Sequence, residues 1–274
     1  MIRDRRSKER KVVIMSRTKN AWINGLFFIV TLVVNGLGAA GLISGFSQKE
    51  ISDMYITLIT PTPSTFSIWS VIYILLLTSI IVMIVKKDDP YYQKAIDGIS
   101  GLFRLSCLLN IAWIVIFSFL MIELSSLFIL GFVITLSVIS RRLKKISDRR
   151  HFLLPLTFGL YTGWLFIATV VNVASALVKM EWGGFGIAPF TWSVIMLIVA
   201  IGLFFIVTLN LRNAVFPLPI AWAYFGIYSF LKAPEGFNGE YQLLQTVSIA
   251  GIIALVAIAG FQLYRNKFSL LSEK

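Results

Sequence analysis

The sequence predicts an all-α fold, a polytopic membrane bundle of about eight transmembrane helices. Of its 274 residues, 57% are hydrophobic and 14% are charged, and the mean hydropathy is +0.83. A soluble domain carries roughly 25% charged residues. Apolar runs long enough to cross a hydrocarbon core of about 30 Å recur along the whole chain. Transmembrane barrels instead show short segments of alternating hydrophobicity, and this sequence has no such pattern.

Eight apolar segments are predicted to span the membrane. In chain order they are Ala21–Gly45, Thr65–Val85, Leu102–Phe119, Leu124–Ser140, Phe152–Leu177, Pro189–Asn210, Ala214–Leu231 and Leu243–Tyr264.

Local signals support these segments. The first is too long for a signal peptide and lacks a small-residue cleavage site, so we expect an anchor. A very short turn near Glu123 should make the third and fourth spans an antiparallel hairpin. WGGFG (182–186) is typical of an interfacial turn. Pro217 and Pro219 should bend or delay the start of the seventh span.

The distribution of lysine and arginine predicts the orientation of the chain. With alternate segments on alternate sides, 22 of the 25 basic residues fall on one side, including six in RRLKKISDRR (141–150). The other side holds Lys49, Lys179 and Lys232. Basic residues accumulate in cytoplasmic loops, so we expect a multi-pass protein of the cell membrane with cytoplasmic tails at 1–20 and 265–274. The net charge of +12 therefore does not indicate a nucleic-acid partner.

Polar side chains form a stripe in the fifth span, which reads YTGWLFIATVVN (161–172). At about 100° per residue, Tyr161, Trp164, Ala168 and Asn172 share one helix face. An amide in hydrocarbon needs a hydrogen-bond partner, because leaving it unsatisfied costs several kcal/mol. The stripe should therefore face the bundle interior or a cavity.

Two other spans carry similar stripes. Phe66, Trp69 and Tyr73 share a face of the second span, and Asn110 and Trp113 are neighbours in the third. Together the three stripes could line a pocket for a flat, largely apolar molecule. The alternative is structural, since tryptophan and tyrosine favour membrane interfaces and amides join helices.

These motifs resemble the TspO/translocator family of tryptophan-rich sensory proteins. The patterns Y-x-x-W-x-x-x-A-x-x-x-N, N-x-A-W and W-x-x-x-Y occur in the same span order, over a five-helix core at about residues 21–180. The chain resembles a longer branch with extra carboxyl-terminal helices, here 181–264. The resemblance implies binding of tetrapyrroles such as protoporphyrin, or of sterols in eukaryotic members. The ligand-binding residues it implies are Trp69, Tyr73, Asn110, Trp113, Tyr161, Trp164 and Asn172.

The same resemblance implies a lid in the loop between the first two spans, shaped by Pro61, Pro63 and Phe66. The chain departs from the family in three places. MYITLITPTPST (54–65) lacks the lid tryptophans, Phe66 precedes Trp69 by three residues instead of four, and Ser106 replaces a glutamine. These departures bear on porphyrin specificity more than on the fold.

Four functions remain open from the sequence. A ligand-binding sensor or regulator is favoured, and a facilitative transporter of an apolar solute is the alternative. An enzyme is disfavoured because no paired carboxylates or nucleophile–base pair lie in the spans. A scaffold is the fourth, because GLISG (41–45) is a G-x-x-x-G motif that could pack a partner helix.

Partners and cofactors follow from the same residues. Besides lipid, the expected partner is a porphyrin or another hydrophobic small molecule, and a homodimer stays open. The single Cys107 excludes an intrachain disulfide, and a lone His151 predicts no metal site, so no cofactor other than a tetrapyrrole ligand is expected. Finally, LFFIVTLVVN (26–35) resembles WLFIATVVN (164–172), as an ancient four-helix duplication would produce.

Overall fold

A computed structural model describes the backbone of residues 2–272 and the side chains of residues 15–272. The predicted all-helical fold is confirmed, with 78% helix and no strand among the described residues. The helices are α1 (Ile2–Ala39), α2 (Gln48–Met54), α3 (Ile68–Val85), α4 (Pro90–Ser118), α5 (Ile122–Lys145), α6 (Leu153–Lys179), α7 (Pro189–Leu211), α8 (Pro217–Lys232) and α9 (Gln242–Arg265). Short 3-10 helices cover Pro63–Ser67 and Gly184–Gly186.

Seven helices of the described chain are long and apolar enough to cross a membrane. The eighth predicted span is α8, whose 16 residues measure about 24 Å at 1.5 Å per residue. Apolar side chains point outward from the long helices, including Ile74, Leu127 and Ile253, each 65% exposed. Such a continuous apolar exterior is stable only against lipid, so this is a membrane protein.

Five of the helices close into a ring. Around it, α1 packs against α4, α4 against α5, α5 against α6, α6 against α3, and α3 against α1. Polar pairs join neighbouring helices inside the ring, as in Ser79 Oγ to Thr157 Oγ1 at 2.9 Å and Ser140 Oγ to Thr162 Oγ1 at 3.0 Å. Small polar side chains commonly connect helices in this way within membranes.

The last three helices pack on the outside of this ring. Here α8 lies against α6, α9 pairs with α8, and α7 packs against α9. Close approach is possible because α6 carries Gly159 and Gly163, one turn apart. A Cβ atom on Gly163 would lie 2.1 Å from the carbonyl oxygen of Phe216, just before α8. A small-xxx-small motif therefore joins the two parts of the protein.

Cationic segments gather at one end of the bundle. Arg17 pairs with Asp97 at 2.6 Å. His151 Nε2 lies 3.3 Å from Asp89, and Ser147 Oγ lies 3.4 Å from the backbone oxygen of Leu271. These contacts place Arg17 and Leu271 at the same end of the bundle as the RRLKKISDRR loop, where Arg142 also bonds the backbone oxygen of Gly98. Residues 1–14 of the predicted tail have no described side chains, and Glu273 and Lys274 lie outside the described residues.

Lys179 and Glu123 form an ion pair, 2.8 Å long, at the opposite end of the bundle. Glu123 lies in the first turn of α5, just after the sharp turn through Leu120 (φ +61°) that joins α4 to α5. The predicted antiparallel hairpin is therefore present. The two ends of the bundle differ in charge as the alternation of spans requires.

Two of the helices have limits that differ from those of the predicted spans. The first helix ends at Ala39 because Gly41 and Gly45 adopt φ +73° and +90°. GLISG is therefore a turn and cannot pack as a helical G-x-x-x-G motif. In addition, α1 extends back to Ile2, so the predicted tail at 1–20 is continuous with the first span.

The third span also starts earlier than predicted, at Pro90. The carboxylate of Asp89 caps the helix by accepting the N–H of Tyr91 at 2.8 Å, and proline suits the first helical position. Arg104 is therefore about four turns inside α4 and not at its start. Its guanidinium donates to the amide oxygens of Asn20 (2.6 Å) and Asn24 (3.0 Å) on α1.

Candidate ligand pocket

A cavity of about 480 Å³ lies inside the ring, toward the end opposite the basic loops. This volume is within the range of about 300–1,000 Å³ that is usual for small-molecule sites. The residues lining it are Leu32, Asn35, Gly36, Ala39, Gln48, Lys49, Ser52, Pro61, Pro63, Phe66, Trp69, Ser70, Tyr73, Trp113, Phe117, Trp164, Ile167, Ala168, Val171, Asn172, Ser175 and Ala223.

Trp69 of α3 is the centre of the aromatic wall. Its ring stacks on Tyr73 with centroids 5.2 Å apart and on Trp113 at 6.2 Å. It meets Tyr161 and Trp164 edge to face at 6.1 and 6.2 Å. The three predicted stripes thus converge on one side chain, because α3 is wedged between α1 and α6.

Phe66 completes the wall from the loop side. Its ring lies edge to face with Trp164 at 5.9 Å. Aromatic faces and edges at these distances present an apolar surface that offers both stacking and edge-to-face contacts.

A chain of polar side chains forms the floor. The hydroxyl of Tyr73 donates to Asn35 Oδ1 at 2.8 Å, and Asn35 Nδ2 donates to Asn110 Oδ1 at 2.6 Å. Asn110 Nδ2 then reaches the hydroxyl of Tyr161 at 3.4 Å. Tyr73 and Asn35 line the cavity, whereas Asn110 and Tyr161 lie behind it.

Asn172 lies at the edge of the cavity and already has several hydrogen-bond partners. Its Oδ1 accepts the indole N–H of Trp113 at 2.9 Å, and its Nδ2 donates to Ser125 Oγ (3.0 Å) and Ser126 Oγ (2.8 Å) on α5. The amide thus joins α4, α5 and α6. Its direct effect on the pocket is to orient the ring of Trp113.

Two hydrogen-bond donors beside the cavity have no partner among the residues that the structure describes. They are the indole nitrogen Nε1 of Trp164, on a side chain 2% exposed, and the amide nitrogen Nε2 of Gln48. A buried donor without a partner is unfavourable, which makes such groups candidates for bonds to a ligand.

A short helix, α2, covers one side of the cavity. Ser47 and Glu50 form a capping box: the Ser47 N–H donates to Glu50 Oε2 at 2.7 Å, and the Glu50 N–H donates to Ser47 Oγ at 3.2 Å. The bonds from the Ser47 backbone and hydroxyl lower the pKa of Glu50. Gln48 packs against Gly38 of α1, where a Cβ atom would lie 2.8 Å from its Nε2.

The predicted site residues divide into two groups. Those lining the cavity are Trp69, Tyr73, Trp113, Trp164, Asn172, Pro61, Pro63 and Phe66, whereas Asn110 and Tyr161 support it from behind. Asn35, Gln48 and Ala223 also line the cavity and were not among the predicted site residues. A signal for Asn35 existed, because LFFIVTLVVN ends in asparagine as WLFIATVVN does. No sequence signal identified Gln48 or Ala223.

Comparison with known proteins identifies one matching family. The family model described as TSPO-like protein matches residues 21–261, which includes the ring and most of the last three helices. No curated protein and no solved structure matches the chain.

Proposed function

Because this chain belongs to the TSPO-like protein family, we propose that it is a membrane sensor or regulator that binds a flat apolar molecule, with a tetrapyrrole as the first ligand class. The observation that carries the proposal is the aromatic wall centred on Trp69. Four rings surround this indole within 6.2 Å, beside a cavity of about 480 Å³. A planar ring system would find both stacking and edge contacts there.

Polar groups beside the wall support a ligand with hydrogen-bond acceptors at its edge. The unpartnered nitrogens of Trp164 and Gln48 can only donate. Lys49 adds a cation at the rim, although Asp53 already pairs with it. Tetrapyrrole carboxylates and ring nitrogens, and the carbonyls of other flat molecules, offer acceptors of this kind.

The proposal places the protein in the cell membrane with its basic end in the cytoplasm. Segments rich in lysine and arginine remain on the cytoplasmic side during insertion. The pocket lies toward the other end of the bundle, near Lys49 and Lys179. A ligand would then reach it from the outer half of the bilayer or from outside the cell.

The proposal is tested by titrating purified protein with protoporphyrin and following the absorbance of the porphyrin. This readout does not depend on the number of tryptophans that remain. Replacing Trp69 or Trp164 by alanine should weaken binding about tenfold or more, since each removes stacking of about 0.5–1.5 kcal/mol per ring pair in addition to apolar contact area.

Trp22→Ala is the matched control, because this tryptophan is 62% exposed on α1 and does not line the cavity. Equal affinity of the wild type and a folded Trp69→Ala/Trp164→Ala variant would refute the pocket. Passage of porphyrin across vesicles that contain the protein, absent from empty vesicles, would favour the transporter alternative.

A further inference from the structure

The roof of the pocket is bound to a helix outside the five-helix ring. This roof is residues 61–66, the last part of the lid loop before α3. The N–H of Thr62 donates to the carbonyl oxygen of Gly226 at 3.1 Å, and the indole N–H of Trp222 donates to the carbonyl oxygen of Thr65 at 2.8 Å. Both bonds connect the roof to α8.

The contact at Gly226 leaves no room for a side chain. A Cβ atom there would lie 2.0 Å from Thr65 Oγ1 and 2.9 Å from Thr65 Cβ. Thr65 is 1% exposed and so cannot simply rotate into solvent. The roof can hold its position only with glycine at residue 226.

One turn earlier, α8 contributes to the pocket itself. Ala223 lines the cavity, one residue after Trp222, which binds the roof. The helix is held in place by α6, since Gly159 and Gly163 allow the segment before α8 to approach closely. The same α6 carries Trp164 and Asn172, so the roof and the aromatic wall are fixed to one framework.

We propose that α8 is a functional part of the pocket: Trp222 and Gly226 hold the roof closed over the cavity, which Ala223 of the same helix also lines. Trp222 and Gly226 are positioning residues, because they act through the roof. This inference rests on the proposed binding function, and it assigns a role to the carboxyl-terminal helices.

The position of the roof can be tested without any ligand. In a Cys107→Ser background, Ser175→Cys introduces a thiol into the lining of the cavity. The native Ser175 is 6% exposed. The reaction rate of the introduced thiol with a maleimide reports how often the pocket opens. Gly226→Ala should raise this rate about tenfold, the change expected for losing one or two ordinary hydrogen bonds.

Gly202→Ala is the matched control, because a Cβ atom at this glycine of α7 would contact nothing within 4 Å. Equal labelling rates for the Gly226 and Gly202 variants would overturn the inference. Porphyrin titration supplies the second readout, and affinity should fall about tenfold for Gly226→Ala only. Faster labelling with unchanged affinity would also overturn it.

A wild type that binds no porphyrin would refute the proposed ligand, and the labelling rates would still decide whether α8 holds the roof. If Gly226→Ala does not fold, Trp222→Phe keeps an aromatic side chain, smaller than the indole, and removes the N–H donor. Its control is Trp192→Phe, since Trp192 donates the same kind of bond, 2.8 Å long, to the carbonyl of Gly184 away from the cavity. Only the Trp222 variant should open the pocket, and equal labelling in both variants would contradict the inference.

Discussion

The indole N–H of Trp113 donates a hydrogen bond to the side-chain oxygen of Asn172 across 2.9 Å, joining α4 to α6. The other half of the same amide is occupied by Ser125 and Ser126 of α5. An amide with this many partners has little capacity left for a ligand. The asparagine in YTGWLFIATVVN therefore serves the pocket through Trp113, whereas Trp164 in the same stretch forms the wall directly.

Replacing Asn172 by leucine should destabilise the protein by about 1–2 kcal/mol, because several interhelical hydrogen bonds are lost and the Trp113 donor is left unpartnered. Unfolding of detergent-solubilised protein by a denaturing detergent would measure this loss. Thr169→Val is the control, since the Thr169 hydroxyl donates only within its own helix, to Leu165 at 2.7 Å. Equal stability of the two variants would contradict the assigned role.

Asn35 and Asn110 should be energetically coupled, because their amides bond directly at 2.6 Å. In a double-mutant cycle with leucine at both positions, we expect an interaction energy of about 0.5–2 kcal/mol. Combining Asn35→Leu with Ser140→Ala should instead be additive, since Ser140 bonds to Thr162 in a separate pair. Additivity of the asparagine pair would show that the polar floor is not a connected network.

The proposed orientation can be measured by labelling intact cells with an impermeant maleimide, in a Cys107→Ser background. The two cysteine variants are Arg150→Cys and Glu235→Cys. Arg150 is exposed in the basic loop, and Glu235 is exposed between α8 and α9. We expect labelling at 235 and none at 150. Gly236 is unsuitable, because a side chain there would meet the carbonyl of Phe230 at 2.0 Å. Labelling at position 150 alone would show that the orientation in the membrane is the reverse of the one proposed.

The capping box of α2 should make this helix sensitive to acid. Because the folded-state pKa of Glu50 is lowered, its stabilisation is fully present above the unfolded-state value and is lost as the pH falls through the folded-state value. A nitroxide at Met54→Cys should therefore become more mobile in acid.

Glu50→Gln should abolish that pH dependence and keep the helix ordered, since glutamine can complete the box. Ser47→Ala should increase mobility at every pH, because losing such a cap costs about 1 kcal/mol. Identical acid responses of wild type and Glu50→Gln would exclude Glu50 as the titrating group.

The observed helix limits show where the local sequence pattern predicted the helices correctly and where it did not. Apolar length located eight of the nine α-helices among the described residues, because crossing hydrocarbon requires a continuous apolar run, and it missed the short helix α2. It missed the first turns of α4, which are polar but are set by Asp89 and Pro90. It also extended α1 past Ala39, because GLISG is apolar although its glycines adopt positive φ.

The sequence pattern also predicted part of the pocket and left part of it undecided. Helical periodicity placed Trp69, Trp113 and Trp164 on inward faces, since these residues interrupt otherwise apolar spans. It could not separate Asn172, whose amide bonds side chains of α4 and α5, from Asn35, whose amide bonds Tyr73 of α3 and Asn110 of α4. Both are asparagines within apolar helices, and only their neighbours on other helices distinguish them.

The sequence by itself determined that the chain is a helical membrane protein, that its basic segments share one side, and that three aromatic stripes face inward. These properties depend on composition and on positions only a few residues apart along one helix. The tertiary structure decided the rest: which rings surround Trp69, which amides bond each other, and that Gly226 lets Thr65 of the roof pack against α8. Such contacts join residues as many as 161 positions apart, and helix packing alone brings them together.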